Sequence, residues 1–159
     1  MRSLSKVTHQ FFKKIKYVVF IYGVSGSVNF LHASCLESVA HKYQLMPSIL
    51  LAIAIAESGG NPGVLGSLNV NGTRDIGLMQ INSSWLPRLA AIGIRPEDLL
   101  NPCVSLDVAA WILSQNISQY GSTWRAVGAY NSGKIRAQLI YANKVSEIFE
   151  NIEKNKHGQ

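Results

Sequence analysis

Read for its apolar positions, the chain from residue 36 onward divides into short helical stretches separated by clusters of Gly, Asn and Pro. Leu36 to Tyr43 forms a short first helix. Pro47 suits the first turn of a second, which carries eight consecutive apolar residues, Ile49 to Ala56, and then Glu57 before Gly59-Gly60 stops it. Residues 59–75 are rich in Gly, Asn and Pro, and Val70-Asn71-Gly72-Thr73 is a hairpin-type turn signal, so the small β element belongs here. Ser83 or Ser84 can cap a helix running to about Ile92, ended by Gly93. Pro96 opens a turn through Leu100. Val104, Val108, Trp111 and Ile112 recur at i, i+4, i+7 and i+8, an amphipathic helix that ends at Gly121. Ser122 caps the next helix, from Trp124 to Tyr130, which stops near Gly133. Leu139, Ala142, Val145, Phe149 and Ile152 line one face of a last helix, with Lys144, Glu147 and Lys154 elsewhere on it. The class is α+β, predominantly α, with no internal repeats.

Residues 1–33 follow different rules. Arg2, Lys6, Lys13, Lys14 and Lys16 precede an apolar segment from Tyr17 to Leu31 of about 15 residues, and Ala33 supplies a small residue for cleavage. This reads as a secretory signal peptide over 1–33, leaving 34–152 as one domain and 153–159 as a charged, polar tail. An uncleaved membrane anchor is the other reading, though the segment is short for a span of about 20 residues.

That partition changes the meaning of the charge. The whole chain is formally +6, but five of its 15 Lys+Arg lie in the leader, leaving 10 against 9 Asp+Glu. A nucleic-acid binder needs its basic surplus on the folded domain, and this domain lacks one. Cys35 and Cys103 both fall in the exported part and read as one disulfide in an oxidising compartment, with two buried free thiols as the alternative. His9, His32, His41 and His157 are scattered without ligand spacing, so no metal and no cofactor is expected.

Three islands remain once the core is set aside: Glu57-Ser58, Asp75 to Asn82, and Ala129-Tyr130-Asn131. A carboxyl at the end of an apolar helix is costly to ionise, because desolvation disfavours its charged form. A carboxylic acid that keeps its proton near neutral pH is what glycoside cleavage requires, since the leaving oxygen must be protonated. A second carboxylate, a glutamine, an asparagine and a glycine turn follow within 25 residues.

In that order the islands resemble the soluble lytic transglycosylases, a family with a goose-type and chicken-type lysozyme-like fold. The likeness is greatest to the small exported members that accompany secretion, pilus and conjugation machines. It rests on Glu57-Ser58 after Ala-Ile-Ala, on Gly77-Leu78-Met79-Gln80-Ile81-Asn82, and on Trp124-Arg-Ala-Val-Gly-Ala-Tyr130-Asn131-Ser-Gly133. It covers Cys35 to about Ala142, and the two cysteines sit where the small members carry their pair. The resemblance implies a periplasmic, monomeric enzyme acting on peptidoglycan glycan strands, with no nucleic acid and no membrane beyond the signal segment. Glu57 becomes the general acid and Tyr130 hydrogen-bonds near it. Ser58, Gly77, Met79, Gln80, Asn82, Tyr130 and Asn131 become the substrate contacts, with Gly77 letting backbone approach the sugar. Asp75 has two readings. The run Asp75 to Ser83, followed by Trp85, also resembles the second-carboxylate segment of chicken-type lysozyme; alternatively Asp75 is a turn residue beside Arg74. A non-catalytic wall-binding module is a further alternative. One departure is the short connection after Asn131-Ser132-Gly133, which runs straight into Lys134-Ile135-Arg136.

Overall fold

The computed structural model describes residues 30–157. The segment read as a signal peptide lies outside the described residues, apart from its last four, which form the first turn of α1. Six helices and a two-stranded sheet follow in the order α1 (Phe30–Lys42), α2 (Pro47–Ser58), β1 (Asp75–Ile76), β2 (Ile81–Asn82), α3 (Leu86–Ala90), α4 (Pro102–Tyr120), α5 (Trp124–Asn131) and α6 (Ile135–His157). The expectation of a predominantly helical α+β domain holds.

α2 is the hub. In α2, which packs against α1 and α6, Leu50, Ala52 and Ile53 are completely buried, while Leu51 and Ile55 of the same apolar run face outward. Its end is fixed sharply. Gly59 adopts φ 64°, and the Gly59 and Gly60 amides donate back to Ile55 and Ala54, closing the last turn as a Schellman-type cap. That stop sets the depth at which Glu57 sits.

β1 and β2 pair antiparallel, Asp75 with Asn82 and Ile76 with Ile81, and Leu65 bridges to Ile76 on the other side. The Asn71-Gly72 signal does mark a turn, closed by Asn69 and Thr73, but it joins Leu65 to β1. The turn between the two strands is Gly77–Gln80, so the sheet falls at the end of the Gly-rich stretch and beyond it, later than the sequence suggests.

Three local expectations are corrected. Asn82, not Ser83 or Ser84, accepts the Ser84 amide and caps a 3-10 turn over Ser83–Trp85; Pro87, suited to a first turn, then starts α3 afresh. Thr123, not Ser122, caps α5. In α6 the buried face runs through Gln138, Tyr141, Ala142 and Val145, while Leu139 is 58% exposed. The helix also continues to His157, where Glu153 meets Lys156 at 3.2 Å, so the polar tail is helical at least that far.

Cys35 and Cys103 form a disulfide that ties α1 to the first turn of α4 across 68 residues. Closing such a loop stabilises the fold by roughly 4 kcal/mol on the chain-entropy account. Trp85 packs edge-on against Trp111 and Trp124 against Phe149, consistent with core roles.

Candidate active site

Glu57 projects from the closed end of α2, half-buried. Burial pushes its carboxyl pKa above the ordinary value; the Tyr141 hydroxyl and the Lys144 ammonium oppose the shift, and Asp75 adds to it. The net direction is upward. The C-terminal end of a helix also carries partial negative charge, a poor place for an anion. Tyr141 Oη donates to Glu57 Oε1 at 2.5 Å, and Lys144 Nζ donates to the Ala56 carbonyl at 2.6 Å, so α6 holds both the acid and the backbone beside it.

Burial raises both nearby phenols well above the usual tyrosine range, and the Glu57 carboxyl adds to the effect, so each remains a neutral donor. They stack with ring centroids 6.5 Å apart. Their partners differ. Tyr130 Oη donates to the Met79 carbonyl at 2.8 Å, so the hydroxyl that holds Glu57 is Tyr141, not Tyr130. The sequence carried a trace of this: Tyr141 falls at helical spacing from Gln138 and Val145, and a phenol on a buried face must bring its oxygen to a partner. Lys144 was also missed, since a lysine three residues on reads as solvated. Tyr141→Phe is expected to raise the Glu57 pKa further, because the lost hydrogen bond favours the charged form. Carbon NMR titration of the labelled carboxyl reads it, and an unmoved midpoint would contradict the assignment.

The carboxyl opens on a cleft of about 460 Å³. Glu57, Asp75, Gln80, Asn82, Tyr130 and Asn131 line it together, joined by Trp85 and by Ser132-Gly133 after α5. Asn82 is fully engaged: its Nδ2 donates to Asp75 Oδ1 at 2.8 Å and to Thr73 Oγ1 at 3.1 Å, and its oxygen caps Ser84. Gln80 sits at φ 46°, rare for a residue with a side chain. Its Nε2 donates to the Gly77 carbonyl at 2.8 Å and to the Val64 carbonyl at 3.2 Å, and the residue lines the cleft.

Ser58, Gly77 and Met79 stand behind this wall. The Ser58 hydroxyl donates to the Leu78 carbonyl at 2.7 Å and so pins the strand-connecting turn to the catalytic helix. Met79 is wholly buried, and its amide donates to Ser105 Oγ at 3.1 Å. Gly77 has φ 76°, and a Cβ there would collide with the Leu99 carbonyl oxygen. The close approach that requires glycine is therefore between two stretches of this protein's own backbone, not between backbone and sugar.

A buried acid, a stabilised second carboxylate and amide groups in one cleft can protonate a leaving oxygen and face a developing positive charge. Comparison with known proteins identifies the family. Residues 34–151 match the family described as transglycosylase SLT domain. The invasion protein IagB of Salmonella typhimurium (strain SL1344) is 40% identical over 141 residues, covering 82% of this chain and 88% of that protein. The protein IpgF of Shigella flexneri is 39% identical over 118 residues, 71% of this chain and 77% of its own length. The X polypeptide of Escherichia coli (strain K12) is 34% identical over 133 residues, covering 79% and 78%. With its helical body and two-stranded sheet of lysozyme-like form, the chain belongs to the SLT transglycosylase family.

Proposed function

We propose that this protein is a periplasmic lytic transglycosylase that cleaves the β-1,4 bond between N-acetylmuramic acid and N-acetylglucosamine in peptidoglycan and leaves a 1,6-anhydro end. The observation that supports it most is Glu57, a carboxyl whose pKa is raised by burial, which is held by Tyr141 and lines the cleft.

In the first step the Glu57 carboxyl gives its proton to the glycosidic oxygen as the C1–O bond breaks. Positive charge then spreads over C1 and the ring oxygen of the muramic acid. Glu57, now a carboxylate, is stabilised by the Tyr141 hydroxyl and the nearby Lys144 charge. It takes the proton from the sugar's own 6-hydroxyl, whose oxygen bonds to C1. The acid is restored and no water is consumed. One group serves as acid and then base, so its pKa must lie within reach of both states. The amide side chains of Gln80 and Asn131, which line the cleft, are the groups available to the N-acetyl group. Mass spectrometry of products released from purified sacculi by residues 34–159 tests this: anhydro products are one water lighter than reducing ends, and reducing ends would make the enzyme a hydrolase.

A lysozyme-type hydrolysis is the second reading, and Asp75 is what favours it, since it lines the same cleft. We assign Asp75 instead to holding the wall through its cross-strand bond to Asn82. An asparagine can still accept that bond. Asp75→Asn is therefore expected to retain activity on sacculi within about threefold, whereas loss of a nucleophile or charge stabiliser would cost at least about 10²-fold.

IagB is named as an invasion protein. On that likeness we place this enzyme's work at a gap in the wall through which a secretion, pilus or conjugation apparatus passes, with the enzyme acting as a monomer recruited there. Cells carrying Glu57→Gln in place of the native enzyme test this by the number of assembled machines, and an undiminished count would contradict it.

A further inference from the structure

Among the described residues, most cationic side chains are committed. Lys42 pairs with Asp107, Arg95 with Glu97 and Asp98, and Lys156 with Glu153; Arg88 and Arg125 lie over Trp85 and Tyr120; Lys144 donates to Ala56. The charged groups of Arg74, Lys134, Arg136 and Lys154 have no such partner. Three of these four adjoin the cleft in sequence. Lys134 follows the lining residue Gly133, Arg136 is three residues beyond Gly133, and Arg74 precedes the lining residue Asp75. Lys134 and Arg136 are exposed. The cleft itself offers them few anions, since only Glu57 and Asp75 among its lining residues are acidic, one held toward its neutral form and the other bonded to Asn82.

The sugar backbone of a peptidoglycan strand gives such cations nothing to pair with: its hydroxyl and N-acetyl groups are uncharged, and the lactyl group is an amide wherever a peptide is attached. The strand's negative charge lies farther out, on the several carboxylates of its peptide stems, opposed by a single amine. We propose that Lys134 and Arg136 on one lip, with Arg74 beside Asp75, pair with the carboxylates of the peptide stems, so that the cleft selects glycan strands bearing charged stems. This rests on the peptidoglycan reading above. It gives a purpose to the short connection after Gly133, which keeps two exposed cations within three residues of the lining residue Gly133, where a longer polar loop would separate them from it. The Lys134 amide is not the anion site, because it already donates to Ser132 Oγ at 3.2 Å. The side chains carry the recognition.

The test uses one substrate in two charge states: soluble peptide-bearing glycan strands with amines acetylated, their stem carboxylates either free or capped as amides. Residues 34–159 should show about tenfold higher kcat/KM on the free-carboxylate strands, chiefly through KM, and the preference should shrink in salt; that is the size expected of two or three exposed ion pairs. Lys134→Gln with Arg136→Gln should bring the ratio below about threefold, Arg74→Gln should lower it in part, and Lys134→Glu with Arg136→Glu should reverse it. Lys134→Arg with Arg136→Lys should keep it. Equal rates on both strands for the native enzyme, or a ratio that the charge reversal leaves intact, would overturn the proposal while leaving strand cleavage standing. If the native enzyme cleaves neither strand and Glu57→Gln protein binds neither by titration calorimetry, the peptidoglycan reading falls, and this one with it.

Discussion

Glu57→Gln is expected to lower turnover of peptidoglycan roughly 10³-fold, within the range that a positioned general acid contributes, while making the folded protein more heat-stable at pH 8. The two effects have one origin. Burial raises the Glu57 pKa in the folded state above its ordinary value, against the opposing Tyr141 and Lys144. Between the unfolded and folded pKa values the native state binds the extra proton, so stability falls as pH rises through that window and stays lowered above it. Below about pH 4 the carboxyl is protonated in both states, and the native enzyme loses nothing there. Glutamine carries no charge at any pH and can still accept from Tyr141. Melting temperatures of the two proteins should therefore coincide near pH 3.5 and separate in favour of the variant at pH 8. A variant no more stable at pH 8 would mean that the carboxylate is well solvated, and the case for a poised acid would fail.

Gly77→Ala carries the largest expected cost in stability. A residue with a Cβ at φ 76° costs about 1–2 kcal/mol on backbone grounds alone. Here the Cβ would also strike the Leu99 carbonyl, which lies just before α4 and cannot rotate away as a side chain can. Overpacking of that kind adds about 1–3 kcal/mol. At about 2–4 °C per kcal/mol, a drop of roughly 5–15 °C in Tm is expected. Gly93 is the control: it has φ 81° but nothing within 4 Å of its added Cβ, so Gly93→Ala should show the backbone cost only. If Gly77→Ala and Gly93→Ala melt together, the Leu99 contact has no energetic weight. Activity should follow stability, because displacing Gly77 moves Met79, which receives Tyr130, and Gln80, which faces the cleft.

The contrast between Tyr130 and Tyr141 marks where sequence reading stopped. Tyr130 sits in a run of recognisable residues and drew the hydrogen bond to Glu57 by proximity in motif. The bond belongs to Tyr141, 84 positions from Glu57 along the chain. Which of two stacked phenols reaches the carboxyl depends on how α6 lies along α2, and that approach is set by packing between them. Gly128 shows how tight the packing of α6 against α5 is, since a Cβ there would collide with the Gln138 carbonyl. No local pattern encodes such a distance. Ser58 and Gly77 teach the same lesson from the other side: both are marked by sequence, yet in the fold their partners are Leu78 and Leu99 of this chain.

The sequence alone determined what depends on neighbours in the chain. Periodicity and stop residues gave the order of the helices, though α1 begins six residues before the expected Leu36 and α6 runs on to His157. An acid closing an apolar helix announced a carboxyl whose pKa burial would raise. The order of three short islands was enough to indicate the family. Only the tertiary structure decided which groups meet: that Tyr141 and Lys144 attend Glu57, that Asp75 is tied to Asn82, and that Arg74, Lys134 and Arg136 are left without a charged partner. Helix formation is decided over a few residues by local bonds and side-chain sterics. A proton's position in an active site is decided by charges and dipoles a few ångströms away, brought together by elements distant in sequence.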